Sequence, residues 1–296
     1  MKTYVLYHAN CYDGFGAAWA AWKRLGDDAT YIPVSYGNPP PEIEPHSTVY
    51  LLDFSYPREI LLSLAERVYH LTVLDHHKTA QQELAELGRP VHRFNIEVNP
   101  PGLFVNFDMD ESGASLAWKY FCKSEPSIRQ EASDLIEYIK DRDLWRFSLT
   151  YSKEISAWLH SYPFDFQTWD LLSYDLAYDS FPRFCHEGAA ILRSQSQQIE
   201  SMCRHLQWIE LGGVRVPCVN ATTLFSECGD FLCEQYPDAS FAAYYCDRND
   251  GKRQWGLRSR NGFDVSEIAK LYGGGGHEVA AGFTTLCPPL MDISKE

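Results

Sequence analysis

The chain of 296 residues is about twice the usual single-domain length, so two domains are expected, each large enough to bury a core. Hydrophobic residues make up 45% of it and charged residues 22%, which excludes a disordered or low-complexity protein. Its formal charge of −14 disfavours nonspecific binding to long duplex nucleic acid or to an anionic membrane, and leaves open a small anion held at a site of locally reversed sign.

From the N-terminus, TYVLY at Thr3–Tyr7 predicts a short strand, and the segment Gly14–Leu25 predicts a helix. The opening residues MKTYVLYHANCYDG turn polar too soon for a signal peptide or anchor, and no apolar run reaches the ~18 residues needed to span a bilayer. Ala29–Val34 is a second strand, ended by the prolines Pro39–Pro41. Val49–Leu52 is a third strand; Pro57–Val68 follows as a helix, with Ser55 as its cap. LTVL at Leu71–Leu74 is again a strand, followed by a helical stretch. Strands alternating with helices in this way argue for a parallel sheet.

Residues 112–122 and 127–140 predict two further helices, the second opened by a capping box of Ser127 and Gln130. Helical character continues over residues 152–206. From Trp208 the chain turns β-rich. The expected division is therefore an α/β domain with a parallel sheet over 1–185, a connecting helix over 186–207, and a smaller α/β domain over 208–296. The nine cysteines contain no CxxC pair, and that odd, scattered set fits reduced thiols in a cytoplasmic protein better than a disulfide framework.

Chemistry gathers where strands end. TYVLY runs into His8, VYLL into Asp53, and LTVL into Asp75, His76 and His77, while Asp13 follows His8 in the next loop. In an open parallel sheet, ligands sit at the carboxyl ends of strands. Adjacent acids repel unless a cation neutralises them, and mixed Asp and His donors suit Mn²⁺, Mg²⁺, Zn²⁺ or Fe²⁺.

The sequence LDHHKT at Leu74–Thr79, preceded by LLDFS and HANCYDGFGAA, resembles the motifs of the DHH phosphoesterase superfamily. GGGGHEVAAGF at Gly273–Phe283 resembles the glycine-rich signature of the C-terminal domain found in its oligonucleotide-cleaving members. The resemblance implies a two-domain α/β enzyme with two divalent cations, commonly Mn²⁺, in the cleft. It implies that Asp53 bridges the two ions, His8 ligates one, and Asp13 and His76 the other, with a further ligand at Asp141 or, as runner-up, Asp143. Asp75 is expected to orient His76, and His77 to face the scissile phosphate as oxyanion stabiliser or proton donor.

The first motif departs from the family's DxDG, having Cys11 where the first Asp is expected; Cys11 or Asn10 would fill that place. In the second domain, the glycines are expected to leave backbone N–H groups free for a phosphate. Gly274, Gly275, Gly276, His277 and Arg258 are thus the substrate-binding candidates. The implied activity is metal-dependent hydrolysis of very short oligonucleotides, linear dinucleotides foremost, to mononucleotides. A 3′,5′-bisphosphate nucleotide, a cyclic dinucleotide or a nonenzymatic sensor role are the alternatives. Oligomeric state is not readable from these residues.

Overall fold

The computed structural model describes residues 1–84, 86–87, 89–90, 101–122, 132–178, 181–260 and 262–287. The chain divides into two compact units, Met1–Leu192 and Arg193–Glu296. Among the described residues no helix is long and apolar enough to cross a membrane.

The first unit is built on a parallel sheet. Its strands are β1 (Thr3–His8), β2 (Ala29–Val34), β3 (Thr48–Leu52), β4 (His70–Asp75), the two-residue β5 (Arg89–Pro90) and β6 (Gly102–Phe107). They lie in the order β2-β1-β3-β4-β6-β5. Strands β3 and β4 are buried along their whole length, as expected of parallel strands covered on both faces. The two-residue period of a strand sorts their side chains. Val5, Tyr50, Leu52 and Leu74 pack on one face against Ala17, Ala20, Ala21, Leu116 and Ala117. Leu6, Val49, Leu51, Leu71 and Val73 pack on the other, against Leu61, Leu64 and Leu84.

Helices α1 (Tyr12–Leu25), α2 (Arg58–Arg67), α3 (Lys78–Leu84) and α4 (Gly113–Phe121) supply those layers, and α5 (Ala132–Asp143) packs beyond them through Leu135, Ile136 and Ile139. The small residues of GFGAAWAA let α1 and α4 approach closely: a Cβ on Gly16 would lie 3.0 Å from that of Ala114. Beyond α1, Phe15, Trp19, Trp158 and Trp169 form a third, aromatic core with helices α6 (Ser152–Leu159), α7 (Phe166–Tyr178) and the start of α8 (Phe181–Cys203).

The expected parallel sheet is present, and it contains two strands that periodicity missed, the two-residue β5 and β6, whose pattern of partly buried positions does not alternate. The helical character expected over 152–206 takes the form of three helices, the last of them running through most of the expected connecting segment. Ser55 does not cap α2; Pro57 occupies that position, and the Ser55 hydroxyl is used elsewhere. The Ser127 and Gln130 box lies outside the described residues.

The second unit has a mixed sheet in the order β11-β12-β10-β9-β8-β7. Its strands are β7 (Gln207–Leu211), β8 (Val214–Asn220), β9 (Ala242–Asp247), β10 (Lys252–Arg258), β11 (Gly275–Gly276) and β12 (Ala280–Leu286). Only the β8–β9 pair is parallel among the described pairings, joined by a crossover through α9 (Phe225–Gln235). Cys228 and Leu232 of α9 cover one face with Val219 and Ala242. Val265, Ile268 and Ala269 of α10 (Val265–Leu271) cover the other with Val216, Ala243, Leu257 and Phe283.

Candidate metal and phosphoester site

Register places the site. Tyr7 pairs with Leu52 and Leu52 with Leu74, so the next residues of three adjacent strands, His8, Asp53 and Asp75, emerge side by side. Asp53 leaves its strand in the left-handed region at φ 61°, with its N–H donating to Leu74 O at 2.9 Å. That conformation is tolerated by Asp better than by most residues and turns the carboxylate across the strand ends. Two glycines make room: a Cβ on Gly14 would run into the His8 carbonyl, and one on Gly113 into the Asp53 side chain.

Asp13, at the start of α1, is buried and points to the start of α4. Its Oδ2 accepts from Gly113 N at 2.5 Å and its Oδ1 from Ala114 N at 2.9 Å. The ring nitrogen Nε2 of His76 lies 3.1 Å from Asp53 Oδ1, 3.4 Å from Asp13 Oδ2 and 3.6 Å from Asp143 Oδ2. One imidazole N–H cannot serve three carboxylates, so these groups converge as donors to a shared cation do. Nδ1 of His8 is buried and lies 3.4 Å from Asp53 Oδ2, at the outer limit of a hydrogen bond.

Two donor sets result. His8, Cys11 and Asp53 have ligand atoms within 4.8 Å of one another, and so do Asp13, Asp53 and His76. Asp53 belongs to both. The donor chemistry, carboxylates and imidazoles that are mostly buried with the single thiol of Cys11 beside them, fits divalent cations.

Charge is distributed unevenly in the cluster. Burial, then the nearby Asp53 and Asp143, hold Asp13 well above the usual carboxylate range. Burial acts the same way on Asp53, but hydrogen bonds and charge from His76 and His8 outweigh it and keep its carboxyl well below that range. Burial would lower His76; the surrounding Asp53, Asp143 and Asp13 raise it instead.

Asp75 is the hub of a separate arrangement. Its Oδ1 accepts from His76 N at 2.8 Å and lies 2.7 Å from His77 Nδ1, while its Oδ2 accepts from Ser55 Oγ at 2.7 Å. Asp75 therefore orients the ring of His77 and accepts from the backbone N–H of His76, where the motif led to the expectation that it orients the His76 ring. Burial opposes the charged forms of both partners, yet the pairing lowers the Asp75 pKa and raises that of His77.

Asp141 does not join the cluster. Its Oδ1 accepts from Ser148 N at 2.9 Å and Ser148 Oγ at 2.6 Å, and its Oδ2 from Leu149 N at 3.2 Å. It fastens the loop after α5, while Asp143, two residues on, faces the other side of the helix and reaches His76. Cys11 is in one of the donor sets, and Asn10 before it takes a left-handed turn at φ 55°.

In the second unit the glycines have their own structural reasons. Gly273 N donates to Lys270 O, Gly274 N to Ala269 O at 2.9 Å, and His277 N to Ala280 O at 2.8 Å. Those N–H groups end α10 and close the β11–β12 turn, so the expectation that they are free for a phosphate is not met. Gly274 and Gly276 also lie where a Cβ would strike the carbonyls of Gly282 and Ala280. Arg258 is buried at the end of β10, beside Gly229 of α9.

Sequence reasoning missed Ser55 and the seat of Asp13 at Gly113 and Ala114. The run ESGAS carries a signal for the latter: Ser112 caps α4 and the glycine admits a carboxylate.

No family model matches the chain. It is 27% identical to the uncharacterized protein R106 of Acanthamoeba polyphaga mimivirus over 299 aligned positions, covering 94% of this chain and 66% of that protein, just under two thirds of its length. Among solved structures, the chain is similar to the pGpG-specific phosphodiesterase PggH from Vibrio cholerae, with a TM-score of 0.48, 13% identity and coverage of 97% and 94% of the two chains. It is similar to RecJ in complex with Mn²⁺ from Thermus thermophilus, with a TM-score of 0.49, 16% identity and coverage of 95% and 49%. The motifs His8–Gly14, Leu51–Ser55 and Leu74–Thr79 are the ones through which the chain resembles the DHH phosphoesterase superfamily.

Proposed function

We propose that the chain is a divalent-cation-dependent phosphoesterase of the DHH type that hydrolyses very short oligonucleotides, linear dinucleotides foremost, to mononucleotides. The observation that carries the reading is Asp53, whose carboxylate belongs at once to the His8–Cys11 set and to the Asp13–His76 set. A bridging carboxylate between two such sets is what a paired-cation site requires.

Asp53 would bridge, His8 and Cys11 would hold one ion, and Asp13, His76 and Asp143 the other, with Mn²⁺ the leading choice. Paired divalent cations supply an activated water near neutral pH and neutralise charge on the phosphoryl oxygens. The residues around them position the phosphate and manage protons. His77, aligned by Asp75 through Nδ1, presents Nε2 as the donor to the phosphoryl or leaving-group oxygen; Ser55 and two backbone N–H groups keep Asp75 a carboxylate and so keep His77 charged. Asp13, fixed on two backbone N–H groups, keeps its oxygens in place without side-chain motion.

Short substrates are favoured by charge. A protein of formal charge −14 is poorly suited to tracking long polyanions, whereas a dinucleotide needs only the cations and few further contacts. In the second unit, the side chains of His277 and Arg258 remain the candidates for contact with a nucleotide phosphate, the glycines around His277 being taken up by the end of α10 and the approach of β12.

The test is turnover with Mn²⁺ of a linear dinucleotide, longer oligomers, a 3′,5′-bisphosphate nucleotide, a cyclic dinucleotide and inorganic pyrophosphate, with products separated by chromatography. Preferential cleavage of the dinucleotide to mononucleotides is expected. Faster release of phosphate from the bisphosphate nucleotide would reassign the substrate, and tight binding without turnover of any compound would leave a sensor.

A further inference from the structure

We infer that Tyr36 is a substrate contact whose ring stacks on a nucleobase flanking the scissile phosphate. The inference rests on the phosphoesterase reading and adds to it a residue from outside the shared motifs.

Tyr36 lies just past the end of β2, at the same edge of the sheet as His8, because β2 and β1 run parallel with Val34 opposite His8. Its position is set by a tight turn: Asn38 N donates to Ser35 O at 3.1 Å, and Gly37 takes φ 84°, which a side chain would resist. Pro39, Pro40 and Pro41 follow and restrict the backbone on the far side of the turn. The tip is thus short and stiff on both sides.

The ring meets both histidines of the site edge-on, His8 at 4.9 Å and 68°, His77 at 5.8 Å and 77° between centroids. Phe54, the residue after Asp53, supports it at 6.5 Å and 88°. Even so, Tyr36 is 53% exposed. A large ring held against catalytic groups and still half open to water keeps apolar surface for something else to cover.

The hydroxyl does not account for the residue. It lies 3.4 Å from His77 Nδ1, but that atom is already 2.7 Å from Asp75 Oδ1. A ring nitrogen has one proton or one lone pair in its plane, and the short contact to the carboxylate takes it. Asp75 therefore orients His77, and the Tyr36 ring, rather than its hydroxyl, is the part with a role toward substrate. Every nucleobase has a π-face that can cover such a ring, and the site beside it is the one proposed for the phosphodiester.

The experiment compares wild type with Tyr36→Ala, Tyr36→Phe and Tyr36→Trp on a 2-aminopurine dinucleotide and on the matching dinucleotide analogue without bases. Hydrolysis and fluorescence quenching of the 2-aminopurine are read on the same samples, and thermal melting checks folding. Tyr36→Ala is expected to raise KM for the base-bearing dinucleotide about tenfold, to reduce the quenching, and to leave the baseless analogue unaffected. Phe and Trp should behave as wild type, since both keep a ring.

An unchanged KM and quench in a folded Tyr36→Ala would overturn the inference, as would equal losses on both substrates. Damage by Tyr36→Phe equal to that by Tyr36→Ala would assign the role to the hydroxyl instead. All of these leave the phosphoesterase reading standing, because wild type still cleaves the dinucleotide. Failure of wild type to bind or cleave it would sink both.

Discussion

Asp75 lies 2.7 Å from the ring nitrogen Nδ1 of His77, whereas Nε2 of its sequence neighbour His76 is 3.1 Å from Asp53. Three consecutive residues thus serve two arrangements. His76 faces the carboxylate cluster, and Asp75 with His77 forms a carboxylate–imidazole pair that can hold and deliver a proton.

The first expectation concerns that pair. Asp75→Asn removes the charge that aligns His77 and keeps it protonated, and should lower kcat by about 10²-fold or more with a smaller change in KM. Ser55→Ala removes one of the hydrogen bonds to Asp75 and should have a milder effect in the same direction. Steady-state kinetics on a dinucleotide, with circular dichroism to confirm folding, checks both. Full activity in Asp75→Asn would remove His77 from the chemistry.

Asp53 should matter to cations before it matters to substrate. Calorimetric titration with Mn²⁺ is expected to show two sites in wild type and to lose that behaviour in Asp53→Asn, and turnover should fall by about 10³-fold or more. Cation binding also stabilises the folded state, by about 2.7 kcal/mol at a concentration one hundred times Kd. Chelation should therefore lower Tm in wild type and change it little in Asp53→Asn. Equal Tm shifts in the two proteins would place the ions elsewhere.

Asp141 and Asp143 separate structure from chemistry. Asp141→Asn weakens an acceptor that serves Ser148 and Leu149, at a cost of about 1–3 kcal/mol in stability, so its effect should appear in urea denaturation. Asp143→Asn should leave stability near wild type or above it, since Asp143 is held above its usual pKa, by burial first and then by Asp53. Its effect should appear in Mn²⁺ affinity and kcat. The reverse pattern would restore Asp141 as the ligand.

Acid should destabilise the first unit in two stages. His160, stacked on Tyr12 at 3.7 Å, is pushed down to about 3 by burial and by the Arg142 charge. The unfolded chain then binds a proton near pH 6.5 that the folded chain refuses until about pH 3, so stability falls as pH drops through that window. Glu111 is lowered to about 2: burial opposes its charged form, but Lys119, Lys140 and Ser115 outweigh it. Its contribution is present above its ordinary value of 4.5 and is lost as pH falls towards 2. Urea midpoints at several pH values should show His160→Phe flattening the upper stage and Glu111→Gln the lower. A His160→Phe profile parallel to wild type between pH 6.5 and 4.5 would contradict the first assignment.

Much of the site was legible because strand ends are local features. TYVLY, VYLL and LTVL are short apolar runs that stop abruptly at His8, Asp53 and Asp75, and a parallel sheet brings such ends together whatever the loops between them do. β6 was not legible, since its exposed and half-buried positions give no alternation. Nor were the helices α9 and α10, which lie in a segment whose composition is dominated by strand-forming neighbours.

By itself the sequence determined the residue types, their order, the alternation of strand and helix, and a net charge of −14 that disfavours long polyanions. Only the tertiary structure decided which side chain faces which. Asp141 and Asp143 are two residues apart on one helix and therefore point to different sides, and the choice between them depends on where that helix packs. Which ring Asp75 holds depends on the backbone directions past β4, and the value of the glycines of GGGGH depends on how closely β12 approaches them. Side-chain direction is set by packing between segments far apart in the chain, and no local pattern encodes it.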